Sequence, residues 1–266
     1  MEQNLLKFSS LQPFPQLRCV VSTRQGGGSA PPYESCNLGF SVGDDPTVVQ
    51  ANRQSLFASA EVHGEQVVSC QQVHRDRIAR VGAPEAGRGA LDLKSGIPEC
   101  DGLLTTESDV YLLVQSADCA LVALFAPPSL GVAVVHSGWR GTALGIARLA
   151  VEMLSAATRQ PSTSMRAVLA PSIDACCYEV GPEVLTALRA PSDAVTAIDS
   201  SGRARISLRR VIVEQLVSAG IVPAAIETHP DCTFCQPKRY FSYRYNGART
   251  GRFGLLAGIR GQATRS

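Results

Sequence analysis

"VYLLVQSADCALVALFAPPSLGVAVVHSGWRGTALG", residues 110–145, decides how the rest of the chain is read. Residues 110–127 are the most apolar segment. They read as buried strands interrupted at Ser116-Ala117-Asp118-Cys119, with a turn at Pro127-Pro128-Ser129 and a returning strand at 131–136. A hairpin pairing 120–126 with 131–136 brings positions near 119 and 136 almost opposite each other. The returning strand breaks at His136. Ser137-Gly138, the single tryptophan Trp139 and Arg140-Gly141 follow, then a helix over 142–157 with apolar residues at 144, 147, 150, 151 and 154.

Working outward, residues 19–27 start as a strand and break at Gly26-Gly27-Gly28. The turn-rich stretch 30–46 is an ordered loop, and 47–60 is a helix started by Asp45-Pro46-Thr47. A strand over 65–74 ends at His74, and 99–106 is a turn with a short strand. C-terminal to the central helix come a strand at 166–170, a loop, a helix near 182–190, a strand near 203–208 and a helix at 209–219. A loop-rich part then ends in a strand at 253–259. Strands and helices alternate irregularly, which indicates a mixed α+β fold and not a doubly wound parallel sheet.

Composition narrows the function. Hydrophobic residues are 45% and charged residues 18% of the 266, as in an ordinary globular protein. The net charge is +2 with no Lys/Arg-rich block, so nucleic-acid binding has no electrostatic support. No apolar run reaches the roughly 18–20 residues of a membrane span. The N-terminal residues lack the pattern of a signal peptide, so a cytoplasmic protein is expected. Nine cysteines at irregular spacing fit reduced thiols better than a disulfide framework.

Cys119 and His136 at neighbouring strand ends, with His74 ending another strand, form a candidate metal set. Two imidazoles and one thiolate with a vacant fourth position describe a catalytic zinc site. Asp118 is a candidate outer group or proton acceptor. Arg140 opens the next helix, beside which an anion is favoured. The alternative is that these histidines are hydrogen-bonded structural residues and the cysteine is packing. "CTFC" (232–235), just after His229, is a single C-x-x-C without a partner pair and reads as structural. Cys176-Cys177 are adjacent and poorly placed to bond to each other. Trp139 reads as a packing plug, with purine stacking as the alternative. "RQGGGS" (24–29) lacks the Walker Lys-Ser/Thr and reads as a turn.

"QQVH" (71–74), "SADC" (116–119), "HSGWRG" (136–141), "LAPSIDACCYEVG" (169–181) and "YFSYRYNGARTGR" (240–252) occur in order, after "STRQGGGSAPPYESCNLGFSVGDDP" (22–46). Together they resemble the YfiH/laccase-domain family, also labelled polyphenol oxidase or peptidoglycan editing factor, over roughly residues 15–260. The resemblance implies a single domain over 1–266, built as a four-layer α-β-β-α sandwich with mixed sheets. It implies a zinc ion on His74, Cys119 and His136. It also implies phosphorolysis of adenosine, inosine and methylthioadenosine, with deamination of adenosine. Ser116 and Ser137 depart mildly from the family pattern, and Tyr245 stands where an arginine is common.

Phosphorolysis breaks the C1′–N9 bond, with positive charge building on the sugar and electrons flowing into the base, so fixed charge is the natural device. Arg140 is the first candidate to stabilise phosphate or base. Arg24 and Asn37 are expected to line the same cleft, Asp118 is the candidate general base, and Cys232 a candidate for the cleft wall. Deamination needs a hydroxide, which zinc supplies by lowering the pKa of water to about 7. The H-x-E and P-C-x-x-C pattern of nucleobase deaminases is absent. Purine nucleosides and phosphate are therefore the expected partners. Three alternatives stay open: a copper polyphenol oxidase, an amide hydrolase acting on a cell-wall precursor, and a metal-binding protein without catalysis. A multicopper oxidase needs on the order of ten histidine ligands; the sequence has only His63, His74, His136 and His229, which leaves room for an adventitious copper at most.

Overall fold

The computed structural model describes residues 5–127, 131–196 and 198–261. Pro128 and Ser129 of the expected turn lie outside the described residues. The elements run β1 (Leu17–Val21), α1 (Pro46–Ser59), β2 (Val67–Ser69), β3 (Ile78–Arg80), β4 (Gly102–Thr105), β5 (Tyr111–Ser116), β6 (Ala120–Ala126), β7 (Gly131–Ser137), α2 (Trp139–Ala143), α3 (Ile146–Thr158), β8 (Arg166–Leu169), β9 (Glu179–Val180), α4 (Pro182–Leu188), β10 (Ala204–Arg205), α5 (Leu208–Ser218), β11 (Ile226–Thr228), α6 (Tyr243–Asn246) and β12 (Phe253–Ile259). No helix among them is long and apolar enough to cross a membrane.

Two sheets carry the structure, one of four strands in the order β1-β12-β5-β2 and one of six in the order β11-β8-β6-β7-β4-β3; β9 and β10 form a small ribbon. Both larger sheets are mixed, with β2–β5, β3–β4 and β11–β8 parallel and the remaining pairs antiparallel. The period of two along β6 sets the layers. Leu121, Ala123 and Phe125 meet Leu112, Val114, Leu255 and Ala257 of the four-stranded sheet. Val122 and Leu124 point the other way, onto Ile146, Ala150 and Leu154 of α3 and Ile212 and Leu216 of α5. On the far side, Tyr111, Leu113 and Leu256 pack against Leu56 and Phe57 of α1. The order is therefore helix, sheet, sheet, helix, an α+β sandwich of four layers. Burial on both faces explains why β5, β6 and β7 read as apolar runs without clear alternation.

The helices start where local chemistry places them. Asp45 accepts from Thr47 N at 2.8 Å with Pro46 at the first position of α1. Ser207 caps α5 by accepting from Arg210 N. The expected helix over 142–157 is two helices, because Gly145 takes φ 80° between α2 and α3. Trp139 and Arg140 thereby open a separate short helix.

Several strand assignments differ from expectation. The strand expected over 65–74 stops at Ser69. Beyond it the Gln72 side chain replaces the backbone as strand partner, accepting from Gln115 N at 2.9 Å and donating to Gln115 O at 2.8 Å, so the main chain is free to turn. The strand expected near 203–208 pairs over only two residues before α5 begins. Strands β3 and β11, three residues each at opposite edges of the six-stranded sheet, are too short to show a period. The hairpin register sets Ala120 opposite Ser137 and Leu121 opposite His136. Cys119 is thus a diagonal neighbour of His136 on the same face, two residues from the directly opposed position.

Candidate metal centre

The centre is organised by a residue that sequence reasoning passed over. Asp101 lies just before β4, which pairs with β7 so that Gly102 faces Val135. Its fully buried carboxylate accepts from the N–H groups of Val73 (3.0 Å), His74 (2.9 Å) and Arg75 (2.8 Å), and from Nδ1 of His136 (2.9 Å). Three amide donors gather the loop around His74, which sits at φ 61°, a left-handed conformation that costs about 1 kcal/mol or more outside glycine. With Nδ1 committed to Asp101, the His136 ring turns Nε2 towards Cys119. Burial works against the Asp101 carboxylate, but His136 and the amides outweigh it and hold it below the usual carboxylate range.

The ligating atoms of His74, Cys119 and His136 all lie within 4.8 Å of one another. The two rings meet edge to face, centroids 4.8 Å apart at 87°. His74 is exposed and His136 buried, so the set opens on the His74 side. Burial pushes the Cys119 thiol up, yet the two imidazoles outweigh it and bring it down to about 6. Burial likewise opposes charge on His136, and the Cys119 sulfur and Asp101 outweigh it, raising the imidazole to about 9. Gly138 is required by close approach, since a Cβ there would sit 2.9 Å from Cys119 Sγ. Two imidazoles and a thiolate converging with one open side suit a borderline-soft ion.

The set lies in the wall of a cavity of about 610 Å³, within the range that encloses a small organic ligand. Arg53, Arg140, Arg244 and Arg252 line it, against Asp118 as the one lining carboxylate among the described residues. Arg140 is exposed and stacks over Trp139, 4.2 Å from the ring centroid. Trp139 both packs on the α3–α5 core and lines the cavity. Arg244 donates to Glu179 O at 2.8 Å and lies over Tyr178. Arg53 is fully buried, bonded to the carbonyls of Leu38, Gly89 and Ala90, while its Nη2 has no hydrogen-bond partner.

The other candidates are distributed differently from expectation. Asp118 is in the cavity wall at φ 90°, but both its oxygens are engaged: Oδ1 accepts from Thr233 Oγ1 at 2.6 Å and Oδ2 from Arg244 N at 2.7 Å. Arg24 lies outside the lining; its guanidinium donates to the carbonyls of Glu34 and Pro237 and covers Phe241, because the turn it belongs to has backbone oxygens to satisfy. Asn37 is also outside, fully buried, donating to Asp44 and accepting from Gly39 N and from Arg252 N at 2.8 Å. It reaches the cavity only through what it holds, Gly39 and Arg252 of the wall. Cys232 lies off the cavity, beside Cys176, Cys177 and Cys235. Tyr245 is on the surface against Phe234. Of the residues missed, Asp101 had a signal in "CDG" ahead of a strand; Arg53 and Arg252 had none beyond their charge.

The sequence model of the family described as "Multi-copper polyphenol oxidoreductase laccase" matches residues 18–260. The chain is 33% identical over 256 residues to "Purine nucleoside phosphorylase YlmD" of Geobacillus stearothermophilus, covering 95% of this chain and 93% of that protein. It is 32% identical over 226 residues to "Adenosine deaminase RL5" from an unknown prokaryotic organism, covering 83% and 85%. The crystal structure of the hypothetical protein YfiH of Bacillus licheniformis superposes with a TM-score of 0.92 at 31% identity, over 98% of this chain and 97% of that one. With fold, motif order and these matches in agreement, the chain belongs to the YfiH/laccase-domain family.

Proposed function

We propose that this protein is a zinc-dependent purine nucleoside phosphorylase that also deaminates adenosine. One observation carries the reading: a His₂Cys donor set with an open side faces a cavity whose charged wall is four arginines and a single carboxylate. The names of the relatives agree with it, since both nucleoside phosphorolysis and adenosine deamination occur among them.

His74, Cys119 and His136 hold the ion. Zinc, when bound, supplies a Lewis acid and a source of hydroxide at neutral pH. Arg140 and Arg244 offer planar guanidinium groups, suited to an incoming phosphate and to the charge that moves into the departing purine. Trp139, Tyr178 and Tyr243 give the base aromatic faces. Asp118 positions the Arg244 backbone and the Thr233 loop, so its part is to shape the wall. A multicopper centre fits less well than a single zinc ion. Only His74 and His136 converge among the described residues; His63 starts a separate turn and His229 sits beside Asp231. We read residues 1–266 as one domain working in the cytoplasm, where Cys119 stays reduced.

The test is incubation of purified protein with adenosine, with and without phosphate, resolved by chromatography. Adenine is expected only with phosphate, and inosine in both. His136→Ala and Cys119→Ala are expected to lose both products together with about one zinc per chain. Turnover of a muramyl amide with none of adenosine would replace this reading by the cell-wall hydrolase, and retained metal with no turnover of either by a binding protein.

A further inference from the structure

Two cysteine motifs that the sequence leaves unrelated are brought together by the fold. Cys176-Cys177 lie in the loop after β8, and Cys232 and Cys235 in the loop after β11. Strands β8 and β11 are parallel neighbours, ending with Leu169 beside Thr228. The ladder continues past them as a bridge between Ser172 and Cys232, with Thr233 N donating to Ser172 O at 3.2 Å. The two loops leave the sheet side by side, and four sulfurs converge.

We propose that Cys176, Cys177, Cys232 and Cys235 form a second metal site, a closed four-thiolate site for zinc or a similar soft divalent ion, separate from the His74–Cys119–His136 centre. The four sulfurs all lie within 4.8 Å of one another, with Cys235 Sγ 3.3 Å from Cys177 Sγ and 3.6 Å from Cys176 Sγ. Zinc–sulfur bonds of ~2.3 Å arranged tetrahedrally separate sulfurs by ~3.8 Å. A disulfide needs ~2.05 Å, and an iron–sulfur cluster holds its cysteines wider apart. Four cysteines close the coordination sphere and leave no position for substrate, so the site is structural. Loading is acid–base chemistry without electron transfer: one divalent ion enters and the thiols release up to four protons.

The consequence reaches the cavity. The first loop carries Ile173 and Tyr178 in the cavity wall, and the second carries Thr233, whose hydroxyl holds Asp118. Arg209 already ties the same loops, donating to Asp231 O at 3.0 Å and pairing with Asp174 at 3.5 Å. An ion on the four sulfurs would lock that wall. The proposal does not rest on the nucleoside reading.

The test is zinc counting on the full chain purified with zinc under reducing conditions, using mercurial release and a chelating dye. Two zinc per chain are expected in the wild type, one in Cys235→Ser, one in Cys119→Ser and none in the double variant. Cadmium-113 NMR of the wild type needs no variant: two resonances are expected, one in the far-downfield region of four sulfur ligands. That resonance should persist in His136→Ala. One zinc per chain in both wild type and Cys235→Ser, no four-sulfur resonance, or a non-reduced mass two hydrogens light from a disulfide among these cysteines would each overturn the proposal.

Discussion

Asp101 shows how much one side chain decides at the residue scale. It holds the His74 loop by three amides and fixes the His136 ring by a fourth bond. Asp101→Asn keeps the size but loses the charge and one acceptor, so zinc affinity is expected to fall by about 10–100-fold with the fold intact. Competition with a chelating dye measures the first, circular dichroism the second. Gly138→Ala places a methyl group 2.9 Å from the Cys119 sulfur and 3.5 Å from the His74 ring, so a ligand of the centre has to shift. Its expected outcome is the loss of bound zinc from this centre, read by the same competition. Arg140→Ala should raise KM for phosphate by roughly 10-fold or more while KM for adenosine moves less, since one charge-assisted contact contributes about 1.5–3 kcal/mol; equal shifts would place Arg140 on the base instead.

At the scale of elements, α3 is held by its buried stripe. Leu154 is fully buried between α3 and the six-stranded sheet, so Leu154→Ala should cost about 2–5 kcal/mol in urea denaturation. The N-terminal segment is tied to β11 by Glu227, which accepts from Ser10 N at 2.7 Å and Ser9 N at 3.1 Å. Burial opposes its charge, but these donors outweigh it and hold the carboxyl below its ordinary 4.5. A depressed folded-state pKa stabilises above the unfolded value, and that stabilisation disappears as pH falls through the folded one. Glu227→Gln should therefore lower the melting temperature at pH 7, and the difference from wild type should shrink as the pH is taken below 4.5.

For the whole molecule, metal and fold are linked. An ion that binds only the folded chain stabilises it by about 2.7 kcal/mol at a hundredfold excess over Kd. Chelation should lower the melting temperature by roughly 5 °C, with zinc restoring it and magnesium not, because magnesium prefers oxygen ligands. The apolar run 110–136 and the stripe of α3 announced a core built on a hairpin, and the break at His136 announced a site at its end. Asp118 entered the wall as expected, but the side chains of Thr233 and the backbone of Arg244, more than a hundred residues away, had already taken its oxygens.

Local sequence determined what local physics governs: where strands alternate, where Asp45 and Ser207 start helices, and that Cys119 and His136 sit at strand ends. Tertiary structure alone decided the rest. Whether Arg24 meets substrate or its own loop, whether Asp101 steers the histidines, and whether "CC" and "CTFC" share an ion all depend on which strands become neighbours. That choice comes from burial summed over two sheets, and no short stretch of residues encodes it.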